Sequence, residues 1–183
     1  AAPEFTVSYD GFVNSETEDV LGGTLAFACA YQQDDEAGTY PVTPSGLTSG
    51  NYAITFVAGT LTVKPQLMEE GMIAPIGTMI YNGKAHTPAP IVTFNGTVLK
   101  AGTDYSVSYE NNTDAGEAIV HVTGLATSNF SGTASKNFSI NRKELNVTAD
   151  DKTIGYGDAA PTFTATYDGF VQIRPPCGRA FHA

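Results

Sequence analysis

Apolar and polar residues alternate with a period of two along most of this chain, the pattern of strands that bury one face. Phe5, Val7 and Tyr9 alternate with polar neighbours and predict a strand over residues 4–13 that ends at the Asp10-Gly11 turn. Leu25, Phe27, Cys29 and Tyr31 predict a second strand, and residues 52–57 and 60–63 predict a hairpin joined by Ala58-Gly59. The run Thr39-Tyr40-Pro41-Val42-Thr43-Pro44 reads as an edge strand or a bulge, because proline donates no ladder hydrogen bond. After a Met- and Glu-rich connector over residues 66–72, further strands are predicted at 79–81, 91–94, 105–109, 118–122 and 136–140. Turns at Asn82-Gly83, Asn95-Gly96, residues 101–104 and Asn111-Asn112 separate them at the spacing of a small β-sandwich. A strand over residues 145–149 opens another unit. The expected fold is all-β, a tandem of small Ig-like β-sandwich modules with essentially no helix.

The pattern repeats. Residues 1–13 return as residues 159–171, differing only at Glu4/Thr162, Val7/Ala165 and Ser8/Thr166. A weaker likeness links the first part of the chain to its middle: Ala37-Gly38 corresponds to Ala115-Gly116, Val42 to Val120, Gly46-Leu47 to Gly124-Leu125, Asn51 to Asn129 and Tyr52 to Phe130. This predicts that Leu47 and Leu125 plug equivalent cores and that Asn51 and Asn129 bond turn backbone. Related units in tandem imply a quasi-linear array in which each contacts its neighbours.

Composition narrows the function. The chain has 183 residues, with 19 acidic against 9 basic side chains and a formal net charge of −10. Scattered cations on an acidic chain would repel phosphate backbones, so nucleic acid is not an expected partner. No apolar run approaches the length of a membrane span, so insertion is not expected either. The cysteines, Cys29 and Cys177, lie far apart and form neither a disulfide framework nor a metal site. Cys29 is expected to be a buried small hydrophobe. Cys177 lies in residues 172–183, whose Arg174-Pro175-Pro176-Cys177-Gly178-Arg179 departs from the repeat and reads as an atypical tail.

Catalytic chemistry finds little support. A hydrolase needs a nucleophile beside a base, and the histidines are His86 in a turn, His121 opposite Val120 and Val122 in a strand, and His182 in the tail. His121 is expected to face solvent. No nucleophile-elbow, zinc-helix, phosphate-loop or dinucleotide motif occurs, and no catalytic, cofactor-binding or metal residue is nominated.

Ile154-Gly155-Tyr156-Gly157-Asp158, then Pro161 and Tyr167-Asp168-Gly169-Phe170, together with Gly38-Thr39-Tyr40-Pro41-Val42, residues 46–52 and Gly59-Thr60-Leu61-Thr62-Val63, resemble the MBG-type module of bacterial surface adhesins. Tyr81-Asn82-Gly83-Lys84-Ala85, residues 102–109, Asn111-Asn112 and Ala115-Gly116 are similar to an Ig-like repeat of large Gram-positive cell-wall proteins. The resemblance implies an MBG-type module at 1–65 lacking its first strand, an Ig-like sandwich at 66–143 and the first hairpin of another MBG-type module at 144–171. It further implies an extracellular, wall-attached, non-enzymatic stalk or spacer, with direct binding of host glycan or mucin as the alternative.

Such arrays raise further expectations. Glu16-Thr17-Glu18-Asp19, Asp34-Asp35-Glu36 and Asp150-Asp151 supply carboxylates without the spacing of a dedicated calcium loop, and read as solvated charge. Lys84, Lys100 and Lys136 lie among turn or polar residues, which favours exposed side chains over an isopeptide crosslink. The sequons at Asn95, Asn111, Asn129, Asn137 and Asn146 read as chance in polar turns, and Tyr9, Tyr31, Tyr40 and Tyr52 as packing residues before glycan platforms. Expected partners are neighbouring modules of the parent chain. Residues 145–171 of one molecule are also expected to complete the leading module of another head to tail, against the alternative that they fray or fold back on their own chain.

Overall fold

The first sheet forms around the segment richest in proline. The computed structural model describes residues 4–171, and there β1 (Gly22–Cys29), β2 (Gly38–Thr48) and β3 (Gly59–Val63) form an antiparallel sheet in the order β1-β2-β3. The prolines of β2 thus sit in the central strand: Pro44 faces Phe27 of β1 and Pro41 faces Thr60 of β3. The expected irregularity lies in the partner, as a register shift between Gly23 and Ala26. Alternation puts Leu25, Phe27 and Cys29 on one face of β1, as expected, but Cys29 is half-buried rather than fully packed.

Two strands expected from alternation do not form. Residues 4–13 and 51–58 belong to no sheet, and β3 pairs with β2 rather than with residues 52–57. A period of two records which side of a segment prefers burial, whereas a strand also requires a backbone partner. Among the described residues 4–12 and 51–58 have none, and the Val13 carbonyl accepts only the nearby Glu16 N–H at 3.0 Å.

The chain next forms β4 (Gln66–Leu67), a 3-10 turn at Glu70–Met72, β5 (Met79–Ile80), β6 (Thr93–Phe94) and β7 (Thr97–Val98), the last two joined through Asn95 and Gly96 at φ 47° and 80°. Positive φ at both turn residues matches the right-handed twist of a tight hairpin, the conformation that Asn-Gly favours. There follow β8 (Tyr105–Glu110), β9 (Gly116–Gly124), β10 (Phe130–Ser131) and β11 (Thr133–Asn141). These make a four-stranded sheet, β5-β11-β9-β8, with β4 parallel to β10 beside it. β12 (Asn146–Ala149) and β13 (Ala165–Asp168) form a separate antiparallel hairpin. The fold is all-β and sandwich-like, and the only helical pieces among the described residues are 3-10 turns, the other at Glu18–Val20.

Burial is concentrated in the middle. Met68, Met72, Ile73, Val92, Leu99, Tyr105, Val122, Phe130 and Ala134 form one cluster, and Ala118, Phe138 and Ile140 a second. The connector over residues 66–72 is therefore core as well as link, with Met68 and Met72 laid against the sheet. Of the buried apolar side chains among the described residues, only Val42 and Pro44 come from the first sheet.

Candidate functional site

A groove of about 930 Å³ with a mixed apolar and polar lining opens in the first sheet. Residues 4–12 form one rim, residues 52–60 the other, and Leu25, Phe27 and Leu47 contribute from the sheet. Both rims keep the alternation read from the sequence: Phe5, Val7 and Tyr9 on one side, Tyr52, Ile54 and Phe56 on the other. Phe5 packs on Phe27 with ring centroids 5.7 Å apart, and Phe12 meets Tyr52 edge-on at 5.4 Å. Phe5 and Phe56 nevertheless remain 37 % exposed, so the slot is lined but unfilled.

Polar bonds fix one end of the groove. Tyr52 donates its hydroxyl proton to the Glu16 carboxylate and accepts the Val13 backbone N–H at 3.3 Å. The bond to Glu16 holds the phenol above its ordinary pKa, opposed by the Val13 N–H, which favours the phenolate. Ser49 Oγ accepts the backbone N–H groups of Asn51 and Tyr52, at 3.2 and 3.1 Å, and so sets where the second rim begins. Farther along, Tyr31 and Tyr40 pack edge to face at 5.1 Å, and the Tyr40 hydroxyl donates to the Glu36 carbonyl at 2.7 Å. Desolvation, then Asp35 and Glu36, push the Tyr40 phenol upward.

The other candidate residues do not converge on this groove. His121 lies opposite Val120 and Val122 as expected, half-buried, with Nδ1 2.7 Å from Ser135 Oγ and Nε2 3.5 Å from Glu110. His86 exchanges backbone and amide bonds with Asn112, at 2.7 and 2.8 Å. Among the described residues no three His, Cys, Asp or Glu side chains gather as a metal cage. Asp35 accepts the Gln32 N–H at 2.7 Å and Asp150 the Thr164 hydroxyl at 2.5 Å. Lys84 and Lys100 are exposed, but Lys136 is not: its stem lies on the inward face of β11 while Nζ reaches Glu70 at 2.9 Å. His182 and Cys177 lie outside the described residues, as does all of residues 172–183.

Serine, rather than asparagine, bonds the turn backbone. Ser128 Oγ serves Asp104, Leu125 and Phe130, whereas Asn129 Oδ1 accepts the Ala37 N–H at 2.7 Å and so ties the first sheet to the middle segment. Leu47 and Leu125 are half-buried, not core plugs. The equivalence of Gly46 and Gly124 does have a common cause: a Cβ at either would strike backbone, at Thr24 O (2.2 Å) and at the Phe130 carbonyl carbon (2.5 Å).

Compared with known families, residues 1–62 and 145–173 match the MBG domain (YGX type). These segments are MBG modules. No curated protein and no solved structure gives a match. MBG domains are repeat modules typical of surface proteins, and among the described residues no helix is long and apolar enough to cross a membrane. The two MBG segments share residues 1–13 and 159–171, so 145–158 contributes a stretch of family pattern not found in 1–62. The sequence predicts an open slot in the MBG sheet, as the module's missing first strand; it does not predict the slot's position between residues 4–12 and 52–60, because both rims read as ordinary strands.

Proposed function

We propose that the chain is a non-enzymatic spacer segment of a bacterial cell-surface adhesin, extracellular and held to the wall by parts of the parent protein other than these residues. One observation carries this reading: MBG sequence stands on both sides of a β segment that the family match leaves out, with its local geometry repeated. Tyr9 and Phe12 lie 5.9 Å apart, as do Tyr167 and Phe170. Units repeated in line extend reach without adding chemistry. The Asn129–Ala37 bond supports an ordered join between neighbours.

Direct recognition of host glycan or mucin is the competing reading, and it is favoured by Tyr156, a fully exposed aromatic in the Gly155-Tyr156-Gly157 turn. Titration of the full chain on mucin and on a glycan array separates the two. A spacer gives no saturable signal. Saturable binding that drops at least about tenfold in Tyr156→Ala, roughly one lost aromatic contact, would establish the binder instead.

A further inference from the structure

Backbone groups on both sides of the groove lack partners. Among the described residues, no backbone–backbone hydrogen bond is made by 4–12 or 53–58, and between these rims lies the open groove. Unpaired backbone facing a partly apolar slot accepts one more strand, which supplies ladder partners and has its alternate side chains covered.

The chain shows what that strand looks like. Residues 159–171 repeat 1–13, and the copies share their local shape: the Tyr9–Phe12 rings are inclined at 39° and the Tyr167–Phe170 rings at 41°, while Gly11 and Gly169 have φ of 103° and 111°. They differ in what lies beside them. In the second copy β12 pairs with β13, and a Cβ on Gly169 would fall 2.4 Å from the Glu144 carbonyl oxygen. Beside Gly11 nothing lies within 4 Å. The space filled by Glu144 and Leu145 in one copy is open in the other.

We propose that β12 of a second copy of this chain enters the groove, paired with residues 7–10 in the register it holds with β13. That register is Asn146 opposite Asp168, Val147 opposite Tyr167, Thr148 opposite Thr166 and Ala149 opposite Ala165. Through the repeat it becomes Asn146 opposite Asp10, Val147 opposite Tyr9, Thr148 opposite Ser8 and Ala149 opposite Val7. The exchange is favourable because the ladder to β13 is replaced by an equivalent one and a further ladder forms to residues 53–58. Leu145 and Val147, 44 % and 58 % exposed, also leave water.

The occupant is a second copy because the chain's own β12 leaves the middle segment at the end opposite the one that holds the first sheet. Gln66, where the first sheet joins the middle segment, lies beside Phe130, close to the start of β11, and the Ala37–Asn129 bond holds the first sheet at that end. β12 follows the opposite end of β11, a strand of nine residues and so about 27 Å long from first to last Cα. The link from Asn141 to Asn146 spans at most about 18 Å fully extended. Donation therefore runs from the tail of one molecule to the head of the next, a heterologous contact that propagates.

Sedimentation of the full chain over a concentration series tests this, with and without excess peptide spanning residues 143–151. The mean mass is expected to rise with concentration by about twofold or more, and to return to monomer with the peptide but not with a scrambled one. Leu145→Asp combined with Val147→Asp changes exposed side chains outside both core clusters, and this variant is expected to stay monomeric with unchanged thermal unfolding of the middle segment. A monomer at every concentration, as a groove left empty or closed by the molecule's own strand would give, overturns the proposal. So do oligomers that survive both the peptide and the double substitution.

Discussion

Gly124→Ala is expected to destabilise the middle segment more than any other single-methyl addition in it. Gly124 ends β9, where the added Cβ would lie 2.5 Å from the carbonyl carbon of Phe130 and 2.6 Å from its oxygen and from the Ser131 nitrogen. These are backbone atoms and cannot rotate away. Relief would require β10 to move, carrying Phe130 out of its edge-on contact with Phe94 at 5.6 Å and away from the cluster of Met68, Val92 and Val122. Overpacking that a side chain can absorb costs about 1–3 kcal/mol, and a backbone neighbour places this substitution at or above the top of that range. For a segment of this size each kcal/mol lowers Tm by about 4–8 °C. Gly96→Ala is the control: φ is +80° with nothing within 4 Å, so only the left-handed backbone penalty of about 1–2 kcal/mol applies. Thermal unfolding followed by circular dichroism should rank Gly124→Ala well below Gly96→Ala. The reverse order would mean that β10 yields where the packing says it cannot.

Phe138→Ala is expected to cost about 3–5 kcal/mol, the usual loss for emptying a buried phenylalanine site. Phe138 is 3 % exposed in β11, and its cross-strand partner is Ala118 of β9, a small residue that makes room for the ring. Ile140 shares its cluster, and Ile76, Met79, Tyr81 and Tyr109 pack around it. Collapse into the void is limited because β11 is laddered to β9 from Thr133 to Ile140 and to β5 at Ile140 and Asn141. Urea unfolding measures the effect. A loss below about 1 kcal/mol would show that the second cluster contributes little to the fold.

Much of this architecture was legible because the middle segment obeys its own pattern. The alternation of Val120, His121 and Val122 placed two side chains in the core and the imidazole on the other face, and Asn95-Gly96 marked the tightest hairpin. The connector was harder to read. Met68 and Met72 lie among glutamates with no strand period, and burial comes from the way β4 and the following 3-10 turn fold against the sheet. The sequence pattern predicts local bonding for the asparagine of the Gly-Leu turn, yet Asn129 reaches Ala37, a contact that local pattern does not encode. The missing first strand was legible, but the place of the slot it leaves was not. Phe5, Val7 and Tyr9 state a preference for burial, but whether residues 4–13 become a strand depends on a partner supplied from elsewhere.

That dependence makes the rims of the groove the place to test the account. Hydrogen exchange of the full chain, read by mass spectrometry at high dilution, compares the rims with the core directly. Residues 4–12 and 53–58 are expected to exchange at nearly the rate of an unstructured chain, while 119–122, laddered to β8 on one side and β11 on the other, exchange slowest. Slow exchange of both rims in the dilute monomer would contradict the account, since their amides would then have partners within a single molecule.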